Sequence, residues 1–229
     1  MRIAEIFHSI QGEGLSTGVP SIFIRTSGCN LRCDWCDTPY ASWKPEGEDT
    51  SVSEILKKIS VWNCNHVVLT GGEPMIAPDF PELAEALKRQ GKHITIETAG
   101  TIPPNGIPCD LASISPKLSN STPPASRDPA WAQKHESTRL QPEVISEWIR
   151  NYLFQLKFVI SSEDDLIEIK NLLSRLPPVP SDRILLMPEG TDVKTLAARS
   201  PWLVEICKRE GFRFCPRLQI ELFGHTRGT

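Results

Sequence analysis

The sequence has few of the features that tie a protein to a membrane or to nucleic acid. No window of its 229 residues approaches the run of about 18 apolar residues that a membrane span needs. The residues after Met1 lack the long apolar segment of a signal peptide. The formal net charge of −3 gives no electrostatic reason to expect nucleic acid or an anionic membrane as partner. We therefore expect a soluble, cytoplasmic protein with neither kind of partner.

The sequence also lacks a disulfide framework. Its seven cysteines are an odd number, and four of them are scattered along the chain, where they are expected to be buried apolar residues or surface thiols. The other three, Cys29, Cys33 and Cys36, fall within eight residues. This local group calls for a separate explanation.

Apolar, β-branched segments alternate with amphipathic ones along most of the chain. Strands are predicted at residues 21–26, 66–70, 93–97, 110–114, 155–160 and 184–187. Helices are predicted at residues 51–59, 80–89, 142–152, 163–176 and 195–210, the last around a possible break at Pro201. Residues 119–141, rich in serine, proline and charge, are predicted to be an insertion or a mobile loop. The alternation predicts one α/β domain over residues 1–229, with helices covering a parallel sheet.

Polar clusters follow the predicted strands, at residues 29–38, 71–74, 98–100, 115–117 and 188–190. In sheets of this type, functional residues gather on the loops at the carboxyl ends of the strands. We therefore expect one site, assembled from several strand ends.

The three clustered cysteines lack a fourth ligand. A structural zinc site needs one, but Cys64 stands alone and His66 begins a strand whose other end should face the site. Three thiolates can instead hold a [4Fe–4S] cluster whose last iron takes a small molecule as ligand. Residue type alone does not choose between zinc and iron–sulfur.

The spacing Cys-x3-Cys-x2-Cys, with Trp35 before the last cysteine, resembles the signature of the radical S-adenosylmethionine superfamily. Gly71-Gly72-Glu73-Pro74, after the next barrel strand, resembles the second feature of that superfamily. The resemblance implies that the amino and carboxylate groups of S-adenosylmethionine chelate the open iron.

Further segments resemble one family in this superfamily, the 7-carboxy-7-deazaguanine synthases. The resemblance covers nearly the whole chain except residues 119–141, and it is carried by residues 5–14, 25, 36–38, 70–74, 115–117 and 224–229. It implies an incomplete (β/α)6 barrel with an N-terminal extension and a C-terminal tail in the site. It also implies conversion of 6-carboxy-5,6,7,8-tetrahydropterin to 7-carboxy-7-deazaguanine and ammonia, in queuosine or other deazapurine biosynthesis. Mg²⁺, a reductase or flavodoxin-type electron donor and a homodimer are implied as well.

The resemblance also assigns roles to residues, with the radical supplied by the cofactor and no catalytic side chain. The [4Fe–4S] ligands are Cys29, Cys33 and Cys36, and the Mg²⁺ ligand is Thr38. Substrate-binding residues are Gln11, Gly12, Glu13, Arg25, Thr70 and Thr229. Residues expected to bind S-adenosylmethionine are Asp37, Gly72, Glu73, Ser115, Lys117, Pro188 and Glu189. Ala99 departs from the asparagine expected in the segment 97–101, so the contacts of that loop are left open.

Two alternatives share parts of this pattern. An activating enzyme that forms a glycyl radical on a protein partner would keep the cysteine loop and the Gly-Gly-Glu-Pro turn, but would not require Gln11, Glu13, Arg25 or Thr38. A metal-stapled binding module without catalysis would carry neither iron nor acid-labile sulfide if its metal were zinc.

Overall fold

The computed structural model describes residues 1–229, which form a single nine-stranded sheet covered by helices. The strands are β1 (Arg2–Ile10), β2 (Pro20–Thr26), β3 (Glu48–Asp49), β4 (His66–Gly71), β5 (His93–Thr98), β6 (Leu111–Ile114), β7 (Phe154–Ile160), β8 (Ile184–Pro188) and β9 (Arg213–Phe214). Their order across the sheet is β3-β1-β2-β4-β5-β6-β7-β8-β9. Because β3 and β9 are free edges, the sheet curves without closing.

The six strands β2, β4, β5, β6, β7 and β8 run parallel to one another, which confirms the predicted α/β fold and incomplete barrel. The short β9 continues the parallel sheet beyond β8. The N-terminal extension forms β1, which pairs antiparallel with β2 and brings the loop after Ile10 to the barrel mouth. Most residues of the inner parallel strands are buried, as expected for a sheet covered on its outer face.

The helices are α1 (Val52–Ile59), α2 (Phe80–Arg89), α3 (Pro129–Thr138), α4 (Pro142–Asn151), α5 (Asp165–Leu173), α6 (Val193–Glu210) and α7 (Leu218–Phe223). At the start of α1, Ser51 and Glu54 form the reciprocal capping box that their spacing predicts. The helices pack on the sheet around one core of 34 buried apolar residues, so most of the apolar burial lies in a single unit. Pro201 does not break α6, which continues through it. No helix combines the length and the apolarity needed to cross a membrane.

The structure agrees with the sequence prediction between β5 and β6 and differs from it within residues 119–141. Residues 99–110 connect β5 to β6 without an α-helix, and none was predicted there. The predicted mobile loop at residues 119–141 contains α3, which begins at Pro129 after Asp128. The Asp128 carboxylate accepts a hydrogen bond from the Trp131 N–H at 3.0 Å, so this segment has a normal helix N-cap.

Candidate active site

A cavity opens at the carboxyl ends of the parallel strands. Fourteen of the predicted site residues line it: Gln11, Gly12, Glu13, Arg25, Cys29, Cys33, Cys36, Asp37, Thr38, Thr70, Gly72, Ser115, Lys117 and Thr229. Residues from both ends of the chain therefore meet the cysteine loop in one place, as the strand-end argument predicts. The three thiols lie on one side, called here the thiol wall, and charged side chains around Glu13 form another, the ionic wall.

The thiol wall consists of Cys29, Cys33 and Cys36. Burial raises the pKa of Cys29 and of Cys33 to about 12, so the bare thiols are protonated and become thiolates only with a compensating metal. No three histidine, cysteine, aspartate or glutamate side chains converge closely enough to hold a single metal ion. Thiolates around one zinc ion would lie about 3.8 Å apart, whereas the thiolates of a cluster bind separate irons. The donor set therefore suits a cluster better than a single ion.

Gly72 supports the thiol wall by having no side chain. A Cβ at this position would lie 2.2 Å from the carbonyl oxygen of Gly28 and 2.5 Å from that of Ala41. The neighbouring Glu73 N–H donates to the Gly28 carbonyl at 2.9 Å. Because these contacts are made to backbone, a larger residue would displace the cysteine loop.

Glu73 does not line the cavity, contrary to the predicted direct contact with the cofactor. Its carboxylate is fully buried and accepts hydrogen bonds from the Thr98 hydroxyl at 2.9 and 3.0 Å and from the Ala99 N–H at 2.8 Å. Burial raises its pKa despite these bonds. Glu73 thus joins its own loop to the end of β5.

Pro188 and Glu189 also lie outside the cavity lining, so the structure does not support their predicted contact with the cofactor. Pro188 is buried, and the Glu189 carboxylate pairs with Arg199. The end of β8 instead presents Met187 to the cavity. The difference arises because strand residues alternate in direction, and the motif position alone does not give the face.

The ionic wall is built around the Glu13 carboxylate. Its Oε2 pairs with the Lys157 ammonium, and its Oε1 accepts from Arg217 Nε at 3.1 Å and from Gln219 Nε2 at 2.8 Å. Arg217 also pairs with Asp37 and donates to the Gly190 carbonyl at 2.5 Å. Burial alone would raise the pKa of Glu13, but Lys157 and Arg217 hold it well below its usual range.

Gly12 makes room for Gln219. A Cβ on Gly12 would lie 1.8 Å from the Gln219 Oε1 atom and 2.8 Å from the Gln219 backbone nitrogen. The glycine therefore permits close packing between the loop after β1 and the start of α7. This contact accounts for Gly12 without a substrate, although the residue also lines the cavity.

A second polar group joins the loop after β1 to β4 and β5. The Glu97 carboxylate accepts from Gln11 Nε2 at 3.1 Å and from the Thr70 hydroxyl at 2.9 Å. Arg25 also reaches the cavity, and its Nε donates to Glu5 at 2.6 Å. Arg25 thus faces the barrel interior, as its predicted role requires.

Lys117, Asp37 and the C-terminal tail complete the cavity. Lys117 Nζ donates to the Ser115 carbonyl and hydroxyl at 2.7 and 2.8 Å. The His225 ring lies with Nε2 2.8 Å from the Asp37 carbonyl oxygen, which places the tail over the cysteine loop. Thr229 follows from there into the cavity lining.

Sequence reasoning missed Lys157, Arg217, Gln219 and Glu97. Lys157 had a usable signal, since it is the single charged residue of β7, as Arg25 is of β2. Arg217 and Gln219 belong to a segment without a recognisable motif, and their roles depend on contacts across more than 200 residues.

Comparison with known proteins gives the family. Residues 23–112 match the model of the radical SAM superfamily. A 7-carboxy-7-deazaguanine synthase from Rhodopirellula baltica is 47% identical over 228 residues, covering 99% of this chain and 88% of the relative. The chain belongs to the 7-carboxy-7-deazaguanine synthase family.

Further relatives agree with this assignment. A 7-carboxy-7-deazaguanine synthase from Halobacterium salinarum is 42% identical over 96% of this chain and 90% of the relative. The crystal structure of QueE from Escherichia coli matches with a TM-score of 0.70 and 26% identity, covering 95% of this chain and 93% of that chain. As a 7-carboxy-7-deazaguanine synthase family member, the protein is a radical S-adenosylmethionine enzyme, and superfamily membership implies a [4Fe–4S] cluster and S-adenosylmethionine. The noncatalytic binding module is therefore excluded.

Proposed function

We propose that this enzyme converts 6-carboxy-5,6,7,8-tetrahydropterin to 7-carboxy-7-deazaguanine with loss of ammonia. The observation that carries the proposal is the cavity in which three thiols face Gln11, Arg25 and Glu97. The names of the full-length relatives support the same product. A glycyl-radical activating enzyme would not require Gln11 or Arg25 at this place.

The thiol wall would hold the cluster through Cys29, Cys33 and Cys36, leaving one iron for S-adenosylmethionine. When bound, the cluster and S-adenosylmethionine together supply a 5′-deoxyadenosyl radical for hydrogen abstraction. Ser115 and Lys117 lie beside the thiols, and Lys117 Nζ has two of its three protons directed at Ser115. The third proton is available to a carboxylate, such as that of the methionine moiety. Gly72 and the backbone at Asp37 would also contact S-adenosylmethionine on the side of the thiol wall.

The donor-rich guanidine-like edge of the pterin calls for hydrogen-bond acceptors. Glu13 offers little, because three of its roughly four acceptor positions are taken by Lys157, Arg217 and Gln219. Glu97 has only two positions taken, by Gln11 and Thr70. We therefore assign the main acceptor role to Glu97, held in place by Gln11 and Thr70. Glu13 orients the cations around it.

The substrate carboxylate requires a cation, and Arg25 supplies one. Its Nε is used by Glu5, while its two Nη groups have no protein acceptor and are free for a bidentate contact. Thr38 would ligate Mg²⁺. One hydroxyl is a weak site by itself, so the substrate carboxylate and water would complete the oxygen ligands that Mg²⁺ prefers. The Thr229 carboxylate lies within the same lining and would contact the substrate from the tail.

Several further assignments rest on the family resemblance alone. An external reductase or flavodoxin-type protein would supply the electron. The homodimer and the cytoplasmic location stay predictions.

The test is an anaerobic turnover assay with reconstituted cluster, dithionite, S-adenosylmethionine, Mg²⁺ and 6-carboxytetrahydropterin, with the product followed by mass. We expect 7-carboxy-7-deazaguanine from catalytic amounts of S-adenosylmethionine. Arg25→Gln should raise the KM for the pterin, whereas Arg199→Gln, which alters a pair outside the cavity, should not. Cofactor cleavage without product would reject the substrate and revive the activating-enzyme alternative.

A further inference from the structure

Helix α3 contacts the outer face of the cysteine loop through its residue His135. The Arg32 N–H donates to His135 Nδ1 at 3.1 Å, so the other ring nitrogen of a neutral imidazole carries the proton. That nitrogen, Nε2, lies 2.9 Å from the Ser121 hydroxyl, which in turn donates to the Leu118 carbonyl at 2.5 Å. The imidazole is fully buried. It therefore joins the cysteine loop to the segment after β6 in one fixed orientation.

The charge state of His135 agrees with this geometry. Burial and the nearby Arg139 lower its pKa to about 4, so the ring is neutral at physiological pH. A protonated ring would present N–H at Nδ1 and could not accept from Arg32.

The side chain of Arg32 is held by the same helix. Its guanidinium carbon lies 4.0 Å from the centre of the Trp131 ring, within the range of a cation–π contact. Its Nη1 donates to the carbonyls of Cys29 at 2.8 Å and Leu31 at 2.7 Å. The guanidinium thus ties together the backbone between the first two cysteines.

Arg32 has no carboxylate partner. It forms none of the protein's salt bridges, although Arg25, Lys157 and Arg217 each do. A half-buried cation without a counterion is costly. Its natural counter-charge is a set of cysteine thiolates carrying a cluster.

We propose that Arg32, held by Trp131 and His135, is a positioning residue for the cysteine loop and raises the reduction potential of the bound cluster. A fixed positive charge favours the more negative, reduced form of the cluster, and net charge, hydrogen bonding and exposure are the main means by which proteins set cluster potentials. This inference rests on the cluster that superfamily membership implies, and it is independent of the pterin substrate.

The test is an anaerobic redox titration of the reconstituted full-length enzyme, followed by electron paramagnetic resonance, with iron and sulfide measured on each sample. Arg32→Gln should shift the midpoint potential to more negative values. Lys134→Gln is the matched control, because Lys134 lies over the same Trp131 ring at 4.5 Å but makes no bond to the loop. It removes the same charge and should leave the potential near that of the wild type.

Trp131→Leu provides a second variant that keeps all three cysteines and the arginine. Without the ring, the guanidinium is free to turn to solvent, so the potential should fall in the same direction by a smaller amount. His135→Asn should weaken iron retention against a chelator by about 10-fold to 100-fold, the usual effect of losing a residue that supports a metal ligand.

Three outcomes would overturn the inference. One is a wild-type potential in Arg32→Gln protein that carries full iron and sulfide. Another is an equal shift in Arg32→Gln and Lys134→Gln, which would indicate general surface charge. If Arg32→Gln does not load a cluster, a wild-type potential in fully loaded Trp131→Leu would reject the proposal by itself.

Discussion

The two walls of the cavity are built in opposite ways. The thiol wall comes from one short loop, and backbone contacts to Gly72 and the support of α3 hold it in place. The ionic wall joins Glu13, Lys157 and Arg217, which are up to 204 residues apart in sequence, through salt bridges between side chains.

This difference shows which wall needs a bound group. The charged groups of the ionic wall pair with one another, although the buried Gln219 Oε1 has no hydrogen-bond partner. Cys29 and Cys33 have raised pKa values. The thiols also have few partners: Cys29 accepts from the Leu31 N–H at 3.3 Å, and Cys36 lies 3.1 Å from the Ser42 hydroxyl. The chemistry of the thiol wall is therefore completed by its cofactor.

The largest expected effect separates the walls directly. Cys33→Ser should abolish S-adenosylmethionine cleavage and leave less than a full cluster by iron and sulfide analysis, because one of three ligands is lost. Pterin binding measured by calorimetry should remain, since Glu97 and Arg25, the groups assigned to the pterin, do not depend on the thiols. Cys109→Ser, which changes a cysteine outside the cavity, is the control. Full iron content in Cys33→Ser would contradict the assignment of the ligands.

The next effect concerns the ionic wall alone. Lys157→Met removes one partner of a buried pair and should lower the free energy of unfolding by about 3–5 kcal/mol in urea denaturation of the apoprotein. Arg199→Gln breaks the more exposed pair with Glu189 and should change it by about 0–1 kcal/mol. Equal losses in the two variants would show that the ionic wall has no special stability.

His135, on the helix that supports the thiol wall, and Glu13, in the ionic wall, should also differ in their response to acid. The pKa of His135 is about 4 in the folded protein against an ordinary 6.5, so between these values the unfolded chain binds a proton that the folded chain does not. The unfolding free energy of the apoprotein should therefore decrease as the pH falls through this window. The difference in unfolding free energy between wild type and His135→Asn should change with pH with a limiting slope of about 1.4 kcal/mol per pH unit.

Glu13 provides the contrast. Its folded pKa is depressed below the ordinary 4.5, so its contribution is fully present above pH 4.5 and is lost only as the pH falls towards the folded value. The difference between wild type and Glu13→Gln should thus stay constant from pH 6.5 to 4.5. For His135, the charged groups that act on the titration of the ring are Arg139, Glu136 and Lys117. A flat His135 difference over the same range would contradict its neutral, buried state.

The smallest expected effect lies at the tail. Arg227 stacks on Tyr40 at 3.4 Å and pairs with Glu46 at 3.0 Å, both at the surface. Such contacts contribute about 1 kcal/mol or less. Arg227→Gln should therefore raise the KM for the pterin by up to about fivefold with kcat unchanged, in steady-state assays. Arg209→Gln, which breaks an exposed pair between α6 and Glu163 in the turn before α5, should change neither constant.

The thiol wall was predictable from sequence because its chemistry is local. Cysteine spacing and a glycine turn identify Cys29, Cys33, Cys36 and Gly72 without knowledge of the fold. The same turn did not predict the hydrogen-bond donors of Glu73, because Thr98 and Ala99 come from the end of another strand. No local pattern predicts such a partner.

The ionic wall was predicted only at its N-terminal part. The argument used for Arg25, that a charged residue in a buried strand faces the site, applies equally to Lys157. Strand alternation, however, shows which residues face the cavity only when the inner face of the strand is known. For residues 119–141, the prediction relied on the amino-acid composition and overlooked a local helix signal. An aspartate followed by proline, as at Asp128-Pro129, is an ordinary start of a helix, and α3 begins there.

The short sequence span of the cysteines has a consequence for folding. Closing a loop of a few residues costs little chain entropy, whereas joining Glu13 to Arg217 requires that nearly the whole parallel sheet be in place. The cysteine loop therefore closes at a low cost in chain entropy, whereas the ionic wall depends on contacts between distant parts of the chain.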